Sequence, residues 1–346
     1  MHNQQTKLAL SLVLAAAVSG QLSANACTDF AIKATDGTVV CGRSMEWAGA
    51  DMNSRVRVHA PGETCTSTRE DGSTAHAWTS KFAYGALDGY GLDVALDGIN
   101  SKGLSVGCLW LPGTVYETAK SDQASIDILD LGKFLLGTCA NIDDVKESLK
   151  NLKVTGKNQS AIGAVPTVHV ALHDASGKHA VIECVDGERK FTENPNGVLT
   201  NAPTIDWHLT NLRNYLNISP SNPKPIEVNG KVVSGAGQGF GFVGIPGDWT
   251  PSSRFVRTTA MIRFAQVPSD TKTGVNLAQH VLNAVDIPKG DVRTTDGGPT
   301  SPCDFTQWAV VKDLTNKALY LRTYDDLSPR KFDLSNLETM KTGFLD

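Results

Sequence analysis

The strongest constraint on this chain is where its folded part can begin. Lys7 is followed by an apolar run over residues 8–18 and then by a polar stretch that ends Ala24-Asn25-Ala26. A charged start, a short apolar middle and small residues two apart have the anatomy of a secretory leader. An apolar run of 11 residues is well short of the ~20 that a membrane-spanning helix needs, so a membrane anchor is the weaker reading. Residues 1–26 are therefore expected to be removed and the product to be periplasmic or secreted. Cys27 then becomes the first residue of one domain over 27–346.

That position gives Cys27 unusual chemistry. Cleavage after Ala26 places a free α-amine and a thiol on one residue. An α-amine titrates near neutral pH and can take the thiol proton directly or through water. Nucleophile and base would then need no Cys–His pair. Two other readings stay open at this point: a cysteine after a leader can carry lipid, and any cysteine can pack in a core. The lipid reading expects a larger aliphatic residue three before the cysteine, where this chain has Ala24.

The leader carries one basic residue, Lys7, of 32 in the chain and none of the 36 acids, so 31 basic residues face 36 acidic ones beyond it. An acidic balance argues against nucleic acid or an anionic membrane as partner. The cysteines stand at 27, 41, 65, 108, 139, 184 and 303. An odd number in an oxidising compartment leaves at least one unpaired, and Cys27 is the natural candidate. Cys108, Cys139 and Cys184 sit in apolar text and read as small core residues. No two cysteines form a C-x-x-C and no histidine pair has zinc spacing, so neither metal nor cofactor is expected. His169, His173 and His208 have no carboxylate or cysteine at motif spacing and read as structural.

Strand patterning opens the domain at 28–33 and 39–43, with Asp36-Gly37 as a hairpin signal. Further strands are expected over 91–96 and 103–111 with a turn over 97–102, then over 167–173 and 179–185. Apolar residues at helical spacing predict a helix pair within 125–152, broken near Gly137. Residues 235–247 read as a loop. Pro251 is placed to open a helix reaching about 265, and a further helix is expected over about 276–285. Strands over 305–312 and 317–323 close the chain. Strands at both ends with helices in blocks point to α+β layers.

Several separated stretches resemble one family. Cys27-Thr28-Asp29-Phe30 followed by Gly42-Arg43-Ser44-Met45-Glu46-Trp47 is similar to the opening of the choloylglycine hydrolases, the bile salt hydrolases and penicillin V acylases. The stretches 197–203 and 207–213 resemble that family's central motif, and 244–255 its third. Three ordered motifs spread from Cys27 towards the C-terminus are far more specific than any one. The resemblance implies the α+β, four-layer αββα sandwich of the N-terminal-nucleophile hydrolases. It implies Cys27 as nucleophile with its own amine as base, and Arg43 beside the thiol, where a fixed positive charge favours thiolate. Asn201 would supply a side-chain donor to the oxyanion, with a backbone N–H at Trp110 as the second, and Arg254 would close the electrostatic network. Trp47 and Trp110 either pack as core aromatics or line the acyl pocket, where they would offer flat faces to an aryl or long acyl group.

One position departs from the family pattern. Glu46 stands where an aspartate usually holds the nucleophile's amine, so the same charge must reach its partner with one more methylene. The implied reaction is hydrolysis of a small N-acyl amide through a thioester acyl-enzyme. Penicillin V or N-acyl homoserine lactones are the expected substrates and conjugated bile salts the alternative. A lipid-anchored binding protein modified at Cys27 is the rival from another class, and a homotetramer is left open.

Overall fold

The computed structural model describes residues 26–48, 51–160, 163–293, 298 and 301–345, so the leader apart from Ala26 lies outside the described residues. The expected first hairpin forms between strands Cys27–Lys33 and Val39–Glu46. Asp36 shapes its turn by accepting from the Thr38 N–H at 2.9 Å, and Gly37 takes φ 90°, a conformation that favours glycine. This hairpin lies in a six-stranded antiparallel sheet. The order is Val198–Leu199, Cys27–Lys33, Val39–Glu46, Thr306–Asp313, Ala318–Thr323 and Arg330–Asp333. An eight-stranded antiparallel sheet faces it, ordered Glu188–Glu193, His179–Val185, Val168–His173, Ser105–Trp110, Leu92–Asn100, Tyr84–Gly89, Val56–His59 and Gly343–Phe344.

Among the described residues there are five α-helices: α1 Ile128–Thr138, α2 Ile142–Ser148, α3 Ile205–Asn211, α4 Pro251–Phe264 and α5 Thr271–Asn283. Asp127 caps α1 and Asn141 caps α2, each side chain accepting a backbone N–H from the first turn, which satisfies donors that a helix start leaves orphaned. The outer face of the eight-stranded sheet presents Val106, Val170, Leu172 and Ile182, which pack in one cluster with Leu131, Leu135 and Val145 of α1 and α2. Gly132 lets α1 approach closely, since a Cβ there would stand 2.4 Å from the Ala95 carbonyl oxygen. On the far side α4 and α5 cover the six-stranded sheet, with Phe255, Ala278, Val281 and Leu282 against Phe30, Ile32 and Val40. The layers are therefore α, β, β, α, as expected. Among the described residues no helix is long and apolar enough to cross a membrane.

Two expectations need correction. The strand expected over 91–96 runs on to Asn100, through the expected turn. Asp97 is buried by contact with Lys312 of the other sheet, and Gly98 lies where a Cβ would stand 2.7 Å from the Gly85 carbonyl oxygen. A buried partner and a close crossing hold extended a tetrapeptide whose local chemistry favours a turn. The helix expected from about 276 starts at Thr271, because Asp270 and Thr273 form a reciprocal capping box ahead of the apolar stripe.

Candidate active site

Period-2 alternation puts Cys27, Asp29 and Ala31 on the inner face of the first strand and Thr28, Phe30 and Ile32 on the outer face. Register then pairs Cys27 with Met45 and Asp29 with Arg43. Gly42 precedes Arg43 and has no room for a side chain, because the Phe30 ring crosses it and a Cβ would lie 2.2 Å from Cζ. The nucleophile candidate and its arginine thus emerge side by side between the sheets.

Cys27 is 2% exposed, and its N–H donates to Asn201 Oδ1 at 2.6 Å. That nitrogen is the peptide nitrogen following Ala26, and loss of residue 26 would turn it into an amine. Arg43 is wholly buried. Its guanidinium donates to the Ser44 carbonyl at 2.9 Å and to the Cys108 carbonyl at 2.6 Å. Burial works against the charge of Arg43, but Cys27, Asp97 and Asp29 outweigh it and hold the guanidinium more firmly protonated than usual.

Arg254 comes from the second turn of α4, whose start is set by Pro251. It is also fully buried. Nη1 donates to the Cys27 carbonyl at 2.5 Å and to Thr28 Oγ1 at 2.7 Å, Nη2 to Asn201 Oδ1 at 2.8 Å, and Nε to the Trp249 carbonyl at 3.0 Å. Such a satisfied fork fixes one geometry. Full burial of Arg43 and Arg254 excludes an exposed, solvent-screened ion pair for either.

Asn201 is the hub of these contacts. Its Oδ1 accepts from Cys27 and Arg254, and its Nδ2 donates to the Trp110 carbonyl at 2.8 Å. An amide NH₂ has two hydrogens, so one remains for a ligand. The backbone of residues 200 and 201 is held by two histidines. His169 Nε2 lies 2.8 Å from the Thr200 carbonyl, and His208 Nε2 lies 2.9 Å from that of Asn201. Burial pushes His208 down to about 4, so at neutral pH it is an uncharged donor. Its ring stacks on Phe255 with centroids 4.6 Å apart.

Glu46 behaves differently from its neighbours. Its side chain alternates away from Cys27 Sγ, and Oε1 accepts from Thr306 Oγ1 at 2.9 Å. Its backbone N–H donates to the Ala26 carbonyl at 2.9 Å. The Cys27 nitrogen is held by Asn201 and not by the Glu46 carboxyl. Burial raises Glu46 to about 7 against the pull of Arg254, and burial together with the charge of Glu46 raises Asp304 to about 7.

Beside Cys27 opens an apolar slot of about 50 Å³ walled by Met45, Trp47, Met52, Tyr90, Trp110 and Val168, among others. It enters the eight-stranded sheet where two strands part: pairing of Leu92–Asn100 with Ser105–Trp110 ends at Asp97 and Gly107. Trp47 meets Trp110 edge to face, with centroids 5.3 Å apart at 83°, and meets Tyr90 at 6.2 Å and 72°. Both tryptophans therefore line the slot. A second hollow of about 290 Å³ lies on the other side of Cys27, bordered by Ala26, Asn201, Trp249, Arg254 and Asp304.

The structure brings Cys27, Arg43, Asn201, Arg254, Trp47 and Trp110 together, and sets Glu46 on the opposite face of its strand. His169, His173 and His208, read from the sequence as structural, are buried and each holds a polar partner. His169 meets Glu183 at 3.0 Å, His173 meets Asp29 at 2.5 Å, and His208 supports Asn201. Glu183 and Asp29 come from other strands, 14 and 144 positions away in sequence, at separations no local motif reports. All seven cysteines are free thiols, and among the described residues no cluster of His, Cys, Asp or Glu is arranged to hold a metal.

Residues 27–342 match the model of the linear amide C–N hydrolases, choloylglycine hydrolase family. The chain is 30% identical to a bile salt hydrolase/transferase of Clostridium perfringens over 91% of this chain and 96% of that one. It is 31% identical to a penicillin V acylase of Pectobacterium atrosepticum over 60% of this chain and 57% of that one. Among solved structures, a mutant conjugated bile acid hydrolase from Clostridium perfringens superposes with a TM-score of 0.80 at 27% identity, covering 92% of this chain and 96% of that one.

Proposed function

The chain belongs to the choloylglycine hydrolase family of linear amide C–N hydrolases, and from that premise we propose that Cys27, exported and freed at its amino group, is the nucleophile of an N-acyl amide hydrolase. One observation carries the reading: the Cys27 nitrogen and carbonyl, Asn201 and Arg254 share a single buried hydrogen-bond network, beside a wholly buried Arg43 whose charge Cys27 favours. The amine takes the thiol proton, and the thiolate attacks the amide carbon. The oxyanion that forms meets the remaining Nδ2 hydrogen of Asn201 and the backbone N–H of Trp110. The ammonium returns its proton to the departing amine, which leaves a thioester on Cys27. Water, deprotonated by the same amine, then releases the acid and regenerates the thiol. Arg254 holds the Cys27 carbonyl, and so keeps nitrogen and sulfur in fixed relation to the donors.

The acyl group enters the apolar slot that Trp47 and Trp110 help to line. Their flat rings suit an aryl group or an unbranched chain entering edge-on, and unbranched Met45 and Met52 can shift rotamer to lengthen the space. A rigid four-ring steroid would have to displace tryptophans locked edge to face. Penicillin V and N-acyl homoserine lactones are therefore the proposed substrates. Conjugated bile salts are the second reading, favoured by the near-full-length match to a bile salt hydrolase/transferase. A hydrolysis panel of penicillin V, an acyl homoserine lactone series and glycocholate separates the two. Mature Cys27→Ala protein should lose all turnover while keeping its melting temperature, and turnover near wild type would place the nucleophile elsewhere.

A further inference from the structure

Two facing sheets of this size normally bury only apolar side chains between them, yet here a line of charged groups crosses the interior from the Cys27 site. Arg43 Nε lies 3.7 Å from Asp97 Oδ2, which accepts from Lys312 Nζ at 2.7 Å. Lys312 lies 3.7 Å from Asp29 Oδ2, and Asp29 Oδ1 meets His173 Nε2 at 2.5 Å. His173 Nδ1 lies 2.9 Å from His179 Nδ1. Arg43, Asp97, Lys312 and Asp29 are each 0% exposed. Desolvating four charges costs several kcal/mol per ion before pairing offsets it, and apolar residues of similar volume would fill the same space more cheaply.

The arrangement also takes its room from the opposite sheet. A Cβ on Gly107 would lie 2.9 Å from Asp29 Oδ2 and 3.0 Å from Asp97 Oδ2, so this position is hollow where the carboxylates meet. The line contains two cations and two anions. The charge of Arg43 is therefore matched before any thiolate forms beside it.

We propose that Asp97, Lys312 and Asp29 are positioning residues that hold the guanidinium of Arg43 against the Cys27 thiol and set how much of its positive charge the thiol experiences. Asp97 draws on Arg43 from the side away from the sulfur, and Lys312 draws Asp97 in turn. Burial works against the charge of both carboxylates: at Asp29 the pull of His173, Lys312 and Arg43 outweighs it and keeps the carboxyl lower than usual, whereas at Asp97 burial prevails over Lys312 and Arg43 and raises it. Other groups facing the thiol and Arg43 are Cys108 from the opposite sheet, Arg254 from α4, and Glu46 and Asp304 beyond Arg254, while Cys41 of the same sheet faces Lys312, Asp29 and Asp97. None of these changes in the test below.

The inference rests on Cys27 being the nucleophile, and its test is kept separate from that claim. The measurement is kcat/KM against pH for the mature enzyme with the best amide of the substrate panel. Removing an anion favours the deprotonated forms of both the Cys27 thiol and the Cys27 amine. Asp97→Asn should therefore move the acid limb to lower pH by roughly one unit. Lys312→Met should move it upward, and the double variant Asp97→Asn/Lys312→Met, which restores the charge balance, should return it towards wild type. A folded Asp97→Asn enzyme with reduced kcat and an unmoved acid limb would overturn the proposal and leave the line a purely structural feature. Should Lys312→Met fail to fold, Asp97→Asn against wild type still decides. Persistent turnover by Cys27→Ala would instead refute the nucleophile.

Discussion

Replacing Asn201 tests the site at its hub, and two substitutions divide its tasks. Asn201→Ala removes the acceptor for Cys27 N and Arg254 Nη2 and the donor to the Trp110 carbonyl. Arg254 is wholly buried, so a guanidinium N–H would be left without a partner, at a cost of about 1–3 kcal/mol or more for a charged donor. Loss of the two neutral bonds adds about 1 kcal/mol each. The expected destabilisation is roughly 3–5 kcal/mol, together with a 10²–10³-fold fall in kcat from the missing oxyanion donor. Asn201→Asp has the same shape and keeps an oxygen facing Cys27 and Arg254, where its charge improves the contact with the guanidinium. It exchanges Nδ2 for an oxygen that faces the Trp110 carbonyl and the site of the developing oxyanion. Stability should therefore fall by less than in Asn201→Ala, while kcat falls by at least as much. Thermal unfolding and steady-state kinetics on the two mature variants read both quantities. An Asn201→Asp enzyme within about threefold of wild-type kcat would refute the assignment of Nδ2 to the oxyanion, since threefold corresponds to only about 0.7 kcal/mol.

Gly107→Ala should destabilise the protein by about 1–3 kcal/mol, because its Cβ would press on Asp29 and Asp97, and chemical denaturation at constant m-value reads the change. Glu46 and Asp304 are both raised to about 7 in the fold. Stability from their protonated forms is fully present below their unfolded values near 4 and is lost as pH rises through about 7. Glu46→Gln should flatten that decline in melting temperature across pH 4–7, and an unchanged slope would count against the buried carboxyl pair. Trp47→Ala removes the ring that meets both Trp110 and Tyr90. It should raise KM for an aryl amide about tenfold and improve turnover of glycocholate relative to penicillin V, as the substrate panel reads directly.

Much of the architecture was legible because its signals are local. The Asp36-Gly37 turn, strand alternation, Pro251 at a helix start and the apolar stripe of α1 each rest on neighbouring residues. The resemblance motifs likewise pointed to Cys27, Arg43, Asn201 and Arg254 before any contact was known. Where local chemistry competes with a distant partner, the distant partner prevailed: residues 97–100 read as a turn, yet Lys312, 215 positions away from Asp97 in sequence, holds the segment extended.

By itself, the sequence determined the place where the folded domain is expected to begin, the alternation that turns Cys27 inward, and the residue types needed for amide hydrolysis. Tertiary structure alone decided what each of those residues faces. It aimed Glu46 at Thr306, seated two histidines under the carbonyls of residues 200 and 201, and ran the Asp97–Lys312–Asp29 line behind Arg43. The reason is physical: pleat and turn follow from bonds a few residues long, whereas buried polar groups take their partners from whichever strand the packed sheets bring opposite them.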